Sequence, residues 1–413
     1  MRRPLLLTML PALLGLATLA PAQIGLPQPG PVLDPVIGAV DRTLQRVRET
    51  DLSAPLRSVA ELARDRLDRL RAIARANPER IELDDTGAPA RRGVILLLDA
   101  DPAALDIARA QGFTIMASDG LDALGIMPTS LAVPDGMSLA RALGKLRAAL
   151  PGKTISADTL SFPSAAPARP GTPRPADGAA INSAVGLIDG GVSAMVAVTD
   201  RRGFAAGAPS PSDHGTAIAG ILRDVGVRRI YAADVYGDDP AGGGALAIAK
   251  ALNWLVTEKV PVISVSLVGP PNPLLARAIA ATQGKGAIIL AAVGNDGPAA
   301  PPAYPASYPS VLAITGVDGR NRALIEAGRA LHIDYAAPGA DLLARNAKGD
   351  LRGVRGTSFA VPLAAARVAA ALDKGQQGPT LRRALDAEAS DLGRKGADKQ
   401  FGRGLLCGAC VQR

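Results

Sequence analysis

Apolar runs separated by polar breaks divide the chain after residue 181 into alternating strands and helices. We predict four strands from continuous apolar runs, at Val185–Ile188, Arg229–Val235, Val262–Leu267 and Ala287–Val293. The stretches between them predict helices, at Gly215–Leu222, Leu246–Thr257 and Pro273–Gly284. Continuous apolar strands alternating with helices are typical of a doubly wound, mostly parallel sheet covered on both faces. We therefore predict an α/β domain over residues 181–413.

Residues 93–160 show a different order of elements, which predicts a small α+β unit of the ferredoxin-like type. The predicted order is β-α-β-β-α-β, with elements at Gly93–Asp99, Ala103–Gln111, Thr114–Met116, Ala123–Met127, Leu139–Leu150 and Thr154–Leu160. The unit contains no His or Cys and no loop typical of a cofactor site. We expect it to act by binding.

The first 22 residues have the pattern of a secretory signal peptide. Two arginines precede the apolar run Leu5–Leu19, and the small-residue cleavage signal Ala20-Pro21-Ala22 follows it. The run is short for a transmembrane helix, although an uncleaved anchor is the alternative. We expect an exported protein, in the periplasm or outside the cell, with no stable membrane span after signal removal.

Two further segments are predicted to connect these units. Residues 23–92 begin Pro-rich and become charged, and apolar spacing over Leu56–Ala76 predicts a helix there. Residues 161–180 carry five prolines. Because proline disrupts helices and inner strands, we predict an exposed linker over 161–180.

Composition excludes several classes of protein. The chain has 413 residues, of which 48% are hydrophobic, so a large core is available and disorder throughout is excluded. Two Cys and two His exclude a disulfide-built scaffold and a histidine-rich metal site. The net charge is +8, but the basic residues are scattered and aromatics make up only 3%. We therefore predict no nucleic-acid partner, no metal and no cofactor.

Four polar residues stand at predicted strand ends or helix starts. Asp189 ends an apolar strand, Asn295 follows another, and His214 and Ser358 open helices. Taken singly, they have ordinary explanations as a turn aspartate, a turn asparagine, a structural histidine and an N-cap serine. Together they supply a nucleophile, its base, an orienting carboxylate and an oxyanion donor worth about 3 kcal/mol. The chain order Asp–His–Ser is that of the subtilisin arrangement.

Residues 181–413 resemble the subtilisin-like serine peptidases, the subtilases. The resemblance rests on the segments VGLIDGG, HGTAIAG, SVSLVG, AAVGNDG and GTSFAVP. It implies that Asp189 orients His214, that His214 is general base and acid, and that Ser358 is the nucleophile. It also implies an oxyanion hole formed by Asn295 and the backbone N–H of Ser358.

The same resemblance implies a strand that holds the substrate backbone, formed by Ser266, Leu267, Val268 and Gly269. Val268 stands where many members have glycine, which implies a narrowed specificity pocket. Phe359 stands where methionine is common after the nucleophile. Because Phe cannot form a sulfoxide, we predict resistance to peroxide.

In subtilases a small domain before the catalytic unit is commonly a prodomain that assists folding and inhibits the enzyme. The resemblance thus implies that 93–160 is an intramolecular inhibitor and that 161–180 contains the maturation region. We expect an exported serine endopeptidase made as a zymogen, with protein or peptide substrates. The alternatives are an inactive subtilase-like binding or sensing protein, and an esterase or lipase, which would require a G-x-S-x-G elbow that the chain lacks around Ser358.

The second histidine and the two cysteines receive no catalytic role. His332 is predicted to lie in a strand as a core or surface residue. Cys407 and Cys410 are two ligands short of a zinc site, and a local disulfide is favoured over free thiols in an exported protein.

Overall fold

The computed structural model describes residues 68–163 and 179–410. Its first sheet, within what we call the N-terminal unit (residues 81–159), is antiparallel, in the order β1-β2-β4-β3 with β5 also paired to β2. Its strands are β1 (Ile81–Leu83), β2 (Pro89–Leu98), β3 (Thr114–Ser118), β4 (Pro128–Ala132) and β5 (Ile155–Thr159). A helix described over 68–76 (α1) precedes the sheet, and α2 (Pro102–Ala110) and α3 (Leu139–Ala149) pack on it.

The strand predicted at Ala123–Met127 is wrong. A single 3₁₀ turn, Asp122–Leu124, lies there instead, and Gly125 ends it in the left-handed conformation at φ 64°. Leu124 and Ile126 are buried because they join the core of the larger unit rather than a strand. The strand itself follows at β4.

The predicted boundary between residues 92 and 93 falls inside a strand. β2 begins at Pro89, and β1 pairs with its first residues, so the sheet includes part of the segment predicted as Pro-rich and helical. The apolar pattern did not predict the first part of this strand, because the charged residues Arg91 and Arg92 interrupt it. The predicted helix over Leu56–Ala76 is described only from residue 68 onward.

The second unit, which we call the large unit (residues 179–410), is built on seven strands, all paired in parallel, as the sequence predicted. Their order is β14-β13-β12-β10-β7-β9-β8. They are β7 (Val185–Asp189), β8 (Asp200–Gly203), β9 (Ile230–Asp234), β10 (Val262–Val265), β12 (Ile288–Ala292), β13 (Leu312–Val317) and β14 (Tyr335–Pro338). Two short antiparallel pairs complete the strands, β6 (Phe162–Pro163) with β11 (Leu267–Val268), and β15 (Leu342–Arg345) with β16 (Leu351–Val354).

Helices cover both faces of the parallel sheet, as the apolar strands predicted. The cluster on one face contains residues of α4 (Asp213–Asp224), α7 (Thr357–Asp373) and α8 (Gly378–Glu388), and that on the other contains residues of α5 (Ala245–Thr257) and α6 (Pro273–Gly284). Consecutive strand residues alternate between these clusters, Leu187 entering the first and Ile188 the second. The strands are therefore apolar on both sides.

The linker prediction for 161–180 is wrong at its first residues, because Phe162–Pro163 forms β6. Pro163 is tolerated there because β6 lies outside the large sheets, in a two-residue pairing. The predicted signal peptide, residues 1–22, and most of the linker lie outside the described residues. Within 68–163 and 179–410, no helix combines the length and apolar character needed to cross a membrane.

Candidate active site

Asp189 and His214 lie in direct contact. Asp189 is the last residue of β7 and is fully buried. His214 is the second residue of α4, and its Nδ1 lies 2.8 Å from Asp189 Oδ1 and 3.0 Å from Oδ2. The backbone N–H of Gly190 also donates to Asp189 Oδ1, at 2.8 Å. A carboxylate held on Nδ1 orients the imidazole and leaves Nε2 as the nitrogen for proton transfer.

A glycine allows this contact to form. A Cβ at Gly215 would lie 2.0 Å from the carbonyl oxygen of Gly190, so no other residue lets the start of α4 approach the turn after β7 so closely. The Ser212 side chain caps the helix by accepting from the N–H of Gly215, at 3.0 Å. The HGT sequence thus places His214 against Asp189.

Ser358 lies at the start of the buried helix α7. It is the second residue of that helix, and the N-cap is Gly356 with φ 135°, so Ser358 is not the N-cap that its ordinary explanation required. Its Oγ donates to the carbonyl of Ser266 at 3.3 Å. Pro362 has no N–H, so it cannot donate to the carbonyl of Ser358 one turn earlier. That carbonyl accepts from the hydroxyl of Ser266 instead, at 2.9 Å. Ser266 therefore contacts Ser358 twice.

The starts of α4 and α7 meet at His214. The ring of Phe359 lies 5.4 Å from the His214 ring, centroid to centroid, and both line a cavity of about 290 Å³. The buried Nε2 of His214 has no hydrogen-bond partner in the part of the chain that the structure describes. The hydrogen bond to Ser358 Oγ is not formed in this conformation, in which Oγ donates to Ser266. Hydrogen bonds between a nucleophile and its base often tighten only when substrate binds.

Asn295 is held beside the start of α7, one residue from Ser358. Its Oδ1 accepts from the backbone N–H of Thr357 at 2.9 Å. The Thr357 hydroxyl also exchanges hydrogen bonds with the backbone N–H and carbonyl of Gly294, each at 3.1 Å. Because Asn295 Oδ1 faces the Thr357 N–H, the Nδ2 donor of the same carboxamide faces the other way. That orientation suits a donor for an oxyanion at Ser358.

The predicted substrate strand is occupied by a segment of the same chain. Val268 pairs antiparallel with Phe162, and Leu267 with Pro163. On the other side, the N–H of Ser161 donates to the carbonyl of Gly243 at 2.9 Å. We call residues 160–163 the cleft segment, because they lie between these two backbone stretches.

Tyr236 fixes the cleft segment from one side. Its hydroxyl donates to the carbonyl of Ser161 at 2.6 Å. Burial, together with the charges of Asp189 and Asp234, raises the pKa of Tyr236 well above its ordinary value, so the hydroxyl keeps its proton. Gly269 differs from the other predicted substrate residues, because its N–H and carbonyl pair with Tyr304 at 2.8 and 3.2 Å.

The remaining predicted residues lie away from this centre. Nε2 of His332 lies 2.9 Å from the Val311 carbonyl, and His332 precedes β14 rather than lying in a strand, so that prediction is wrong. Cys407 and Cys410 form the predicted disulfide. Within the described ranges, no cluster of three or more His, Cys, Asp or Glu side chains could hold a metal ion.

Sequence reasoning missed the residues that position the site. Thr357 holds Asn295 and Tyr236 holds the cleft segment, whereas Pro362 leaves the Ser358 carbonyl to accept from the Ser266 hydroxyl. Thr357 and Pro362 lie inside the GTSFAVP element, so their proximity to Ser358 was a usable signal. The sequence contained no such signal for Tyr236, because Ser161, whose carbonyl it bonds, is 75 residues away.

The chain is similar to known proteins of one family. Residues 196–404 match the model of the subtilase family, a range that begins seven residues after Asp189. The chain is 31% identical to subtilisin BL of Lederbergia lenta over 244 residues, which cover 54% of this chain and 87% of that protein. It is 27% identical over 243 residues to the minor extracellular protease Epr of Bacillus subtilis (strain 168), of which it spans only 38%.

Two solved structures share the fold. Fervidolysin from Fervidobacterium pennivorans, described as a keratinolytic enzyme related to subtilisin, aligns with a TM-score of 0.64 at 19% identity, over 80% of this chain and 62% of that chain. The epidermin leader peptide processing serine protease of Staphylococcus aureus aligns with a TM-score of 0.60 at 14% identity, over 76% and 97% respectively.

The chain belongs to the subtilase family. The predicted α/β subtilisin-like fold and the predicted class, a serine-type endopeptidase, are both confirmed at the level of the family. Substrates of that class are proteins or peptides.

Proposed function

We propose that this protein is an exported serine endopeptidase, made as a zymogen, in which Ser358, His214 and Asp189 act as a catalytic triad. The observation that carries the proposal is the contact of 2.8 Å between a fully buried Asp189 and Nδ1 of His214. Burying an aspartate without a partner would cost free energy. Asp189 has a partner, and that partner is His214, the general base of the proposed mechanism.

In the proposed reaction His214 Nε2 accepts the proton of Ser358 Oγ as that oxygen attacks the peptide carbonyl. The negative oxygen that forms is stabilised by the Asn295 Nδ2 donor and the Ser358 N–H at the start of α7. His214 then gives the proton to the leaving amine, and water hydrolyses the acyl-enzyme. Throughout, Asp189 stabilises the imidazolium.

We propose further that the N-terminal unit inhibits this site. Its chain leads directly into the cleft segment, which pairs with Leu267 and Val268 where a substrate would bind. Asp158 of the unit accepts from the N–H of Leu246 at 3.0 Å and so caps α5. Arg91 donates to the buried Asp239 of the large unit at 2.8 Å. Of these contacts, the ion pair between Arg91 and Asp239 holds the N-terminal unit on the large unit.

Helix α1 adds a second contact over the cleft segment. Its half-buried positions 70, 73 and 74 lie on one face of the helix. Ile73 and Ala74 from that face pack in the same cluster as Phe162. Arg69 of α1 forms an ion pair with Asp296, the residue after Asn295. The inhibitory part of the chain thus includes a helix before the ferredoxin-like unit.

Export is proposed from the signal sequence at residues 1–22. The name of the Bacillus subtilis relative describes that protein as extracellular. We propose the periplasm or the medium for this one.

The test compares the purified full chain with its Ser358→Ala variant. We expect the wild type to react with a fluorophosphonate probe at Ser358, to cleave a peptide substrate and to shorten itself between residues 161 and 180. The variant should do none of these. Labelling or cleavage that persists in Ser358→Ala would assign the nucleophile elsewhere. A folded wild type that neither reacts nor cleaves after removal of its N-terminal unit would favour the inactive binding protein.

A further inference from the structure

A partly buried ion pair connects the nucleophile segment to the loop that supports Asn295. Arg355 lies three residues before Ser358, and its Nε is 2.7 Å from Glu326 Oε1. A second guanidinium nitrogen of Arg355 donates to Oε2 at 2.9 Å. The Glu326 side chain is 7% exposed and that of Arg355 25%, so water screens this pair far less than a surface pair.

Glu326 lies in a loop that is itself bonded to the turn containing Asn295. The carbonyl of Glu326 accepts from the N–H of Gly297 at 2.9 Å, and the N–H of Gly328 donates to the carbonyl of Gly294 at 2.7 Å. These bonds lie on either side of Asn295 in sequence. A movement of the Glu326 loop would therefore be transmitted to Asn295.

The third connection runs from the Asn295 turn back to the nucleophile segment. The Thr357 N–H donates to Asn295 Oδ1 at 2.9 Å, and the Thr357 hydroxyl bonds Gly294. The nucleophile segment, the Asn295 turn and the Glu326 loop are thus joined in a closed triangle. The ion pair forms the side of that triangle between the nucleophile segment and the Glu326 loop.

We propose that Arg355 and Glu326 are positioning residues, which hold Ser358 and Asn295 at the separation that the tetrahedral intermediate requires. Neither residue needs to touch substrate for this role. The inference rests on the proposed function, because it concerns the distance between the nucleophile and the oxyanion donor. Small misplacements of such groups cost up to about 10²-fold in rate.

The expected effect is a loss of kcat with little change in KM. In Arg355→Gln and Glu326→Gln we expect kcat per active site to fall roughly ten-fold, because the alignment and not substrate binding is lost. Arg355→Lys keeps the charge but not the planar fork, so its kcat should lie between those of Arg355→Gln and wild type. The double variant should be no slower than the slower single variant, since both remove the same connection.

The measurement uses the full chain after maturation, with active sites titrated by a fluorophosphonate probe. The probe's labelling rate at Ser358 and the steady-state kcat and KM on a peptide substrate are compared for each variant. Arg322→Gln is the matched control, because it removes the exposed pair between Arg322 and Asp318 just before the same loop. Its kcat should equal that of wild type.

Each other outcome overturns the inference. A pair that only stabilises the fold would lower the melting temperature and the fraction of active protein, but leave kcat per active site within two-fold of wild type. An equal fall of kcat in Arg322→Gln would show a general effect of charge removal. If the Arg355 and Glu326 variants keep the kcat of wild type while Ser358→Ala is inactive, only the positioning role fails. If wild type itself is inactive, the proposed function fails with it.

Discussion

Phe162 and Val268 form a direct antiparallel pair between β6 and β11. The next pair, Pro163 with Leu267, lies one residue closer to Ser266, whose carbonyl accepts from Ser358 Oγ. A peptide in this register therefore runs towards Ser358, with its amino-terminal side on β11. For a substrate that pairs with β11 in the same register, this relationship predicts both the direction of binding and the position of the cut.

The pairing predicts the maturation site. If a substrate continues this register by one residue, the residue after Pro163, which is Ser164 in the sequence, would pair opposite Ser266. We expect cleavage between Ser164 and Ala165, so that the mature chain begins at Ala165. N-terminal sequencing and intact mass of the first product check this. A first cut elsewhere in 161–180 would show that the register of the cleft segment is not the register of cleavage.

Two buried aspartates predict opposite effects of pH on docking of the N-terminal unit. Burial alone would raise the pKa of Asp239, but the N–H of Ala241 and the guanidinium groups of Arg91 and Arg80 hold it below its ordinary 3.8. Its pairing therefore stabilises docking above pH 3.8 and is lost as the pH falls through the lowered pKa. Desolvation raises the pKa of Asp158 above 3.8, so Asp158 opposes docking as the pH rises through that raised value.

We therefore expect Asp239→Asn to loosen the N-terminal unit at neutral pH and Asp158→Asn to leave it equally or more tightly docked. The check is thermal unfolding of both variants in the uncleaved Ser358→Ala background from pH 3 to 8. It shows whether each substitution raises or lowers the melting temperature at each pH. Asp318→Asn is the control, because the pKa of Asp318 is also lowered but its partners, Arg320 and Arg322, belong to the large unit. A fall in stability at neutral pH for Asp158→Asn would contradict the assignment.

Val268 predicts a preference for small residues before the cleaved bond. Its two γ-methyl carbons lie 3.4 and 3.5 Å from the position a Cβ would take at Gly294, beside Asn295. In Val268→Gly we expect kcat/KM to rise roughly ten-fold for substrates with Leu or Phe there, relative to Ala, because volume is restored to the pocket. Matched peptide substrates that differ only at this residue measure the ratio. An unchanged ratio would locate the specificity pocket elsewhere.

Phe359 predicts activity that survives peroxide. It is 4% exposed and contacts the His214 ring, at the position where an oxidised methionine would place a polar sulfoxide. We expect wild type to retain its activity in dilute peroxide while Phe359→Met loses most of it. Met195, which is 64% exposed, should be oxidised in both proteins and can be followed by mass. Equal losses in the two proteins would mean that another residue limits resistance.

Local pattern was sufficient for the elements of the large unit. The helix predicted at Pro273–Gly284 is observed at those residues, because Asn272 caps it and Pro273 occupies its first turn. The same pattern failed at Ala123–Met127, where apolar residues serve the docking of one unit on the other rather than a strand. Local periodicity records which residues are buried, but not what buries them.

The sequence by itself determined the class of protein. Asp189, His214, Asn295 and Ser358 stand in the order and local contexts that nucleophilic catalysis needs, and a parallel sheet brings strand ends together at one edge. Only the tertiary structure decided which groups touch. The occupation of β11 by Phe162, the hold of Tyr236 on Ser161 and the pair between Arg355 and Glu326 join residues 29 to 106 positions apart. No local periodicity encodes such contacts, because they exist only when separate segments pack together.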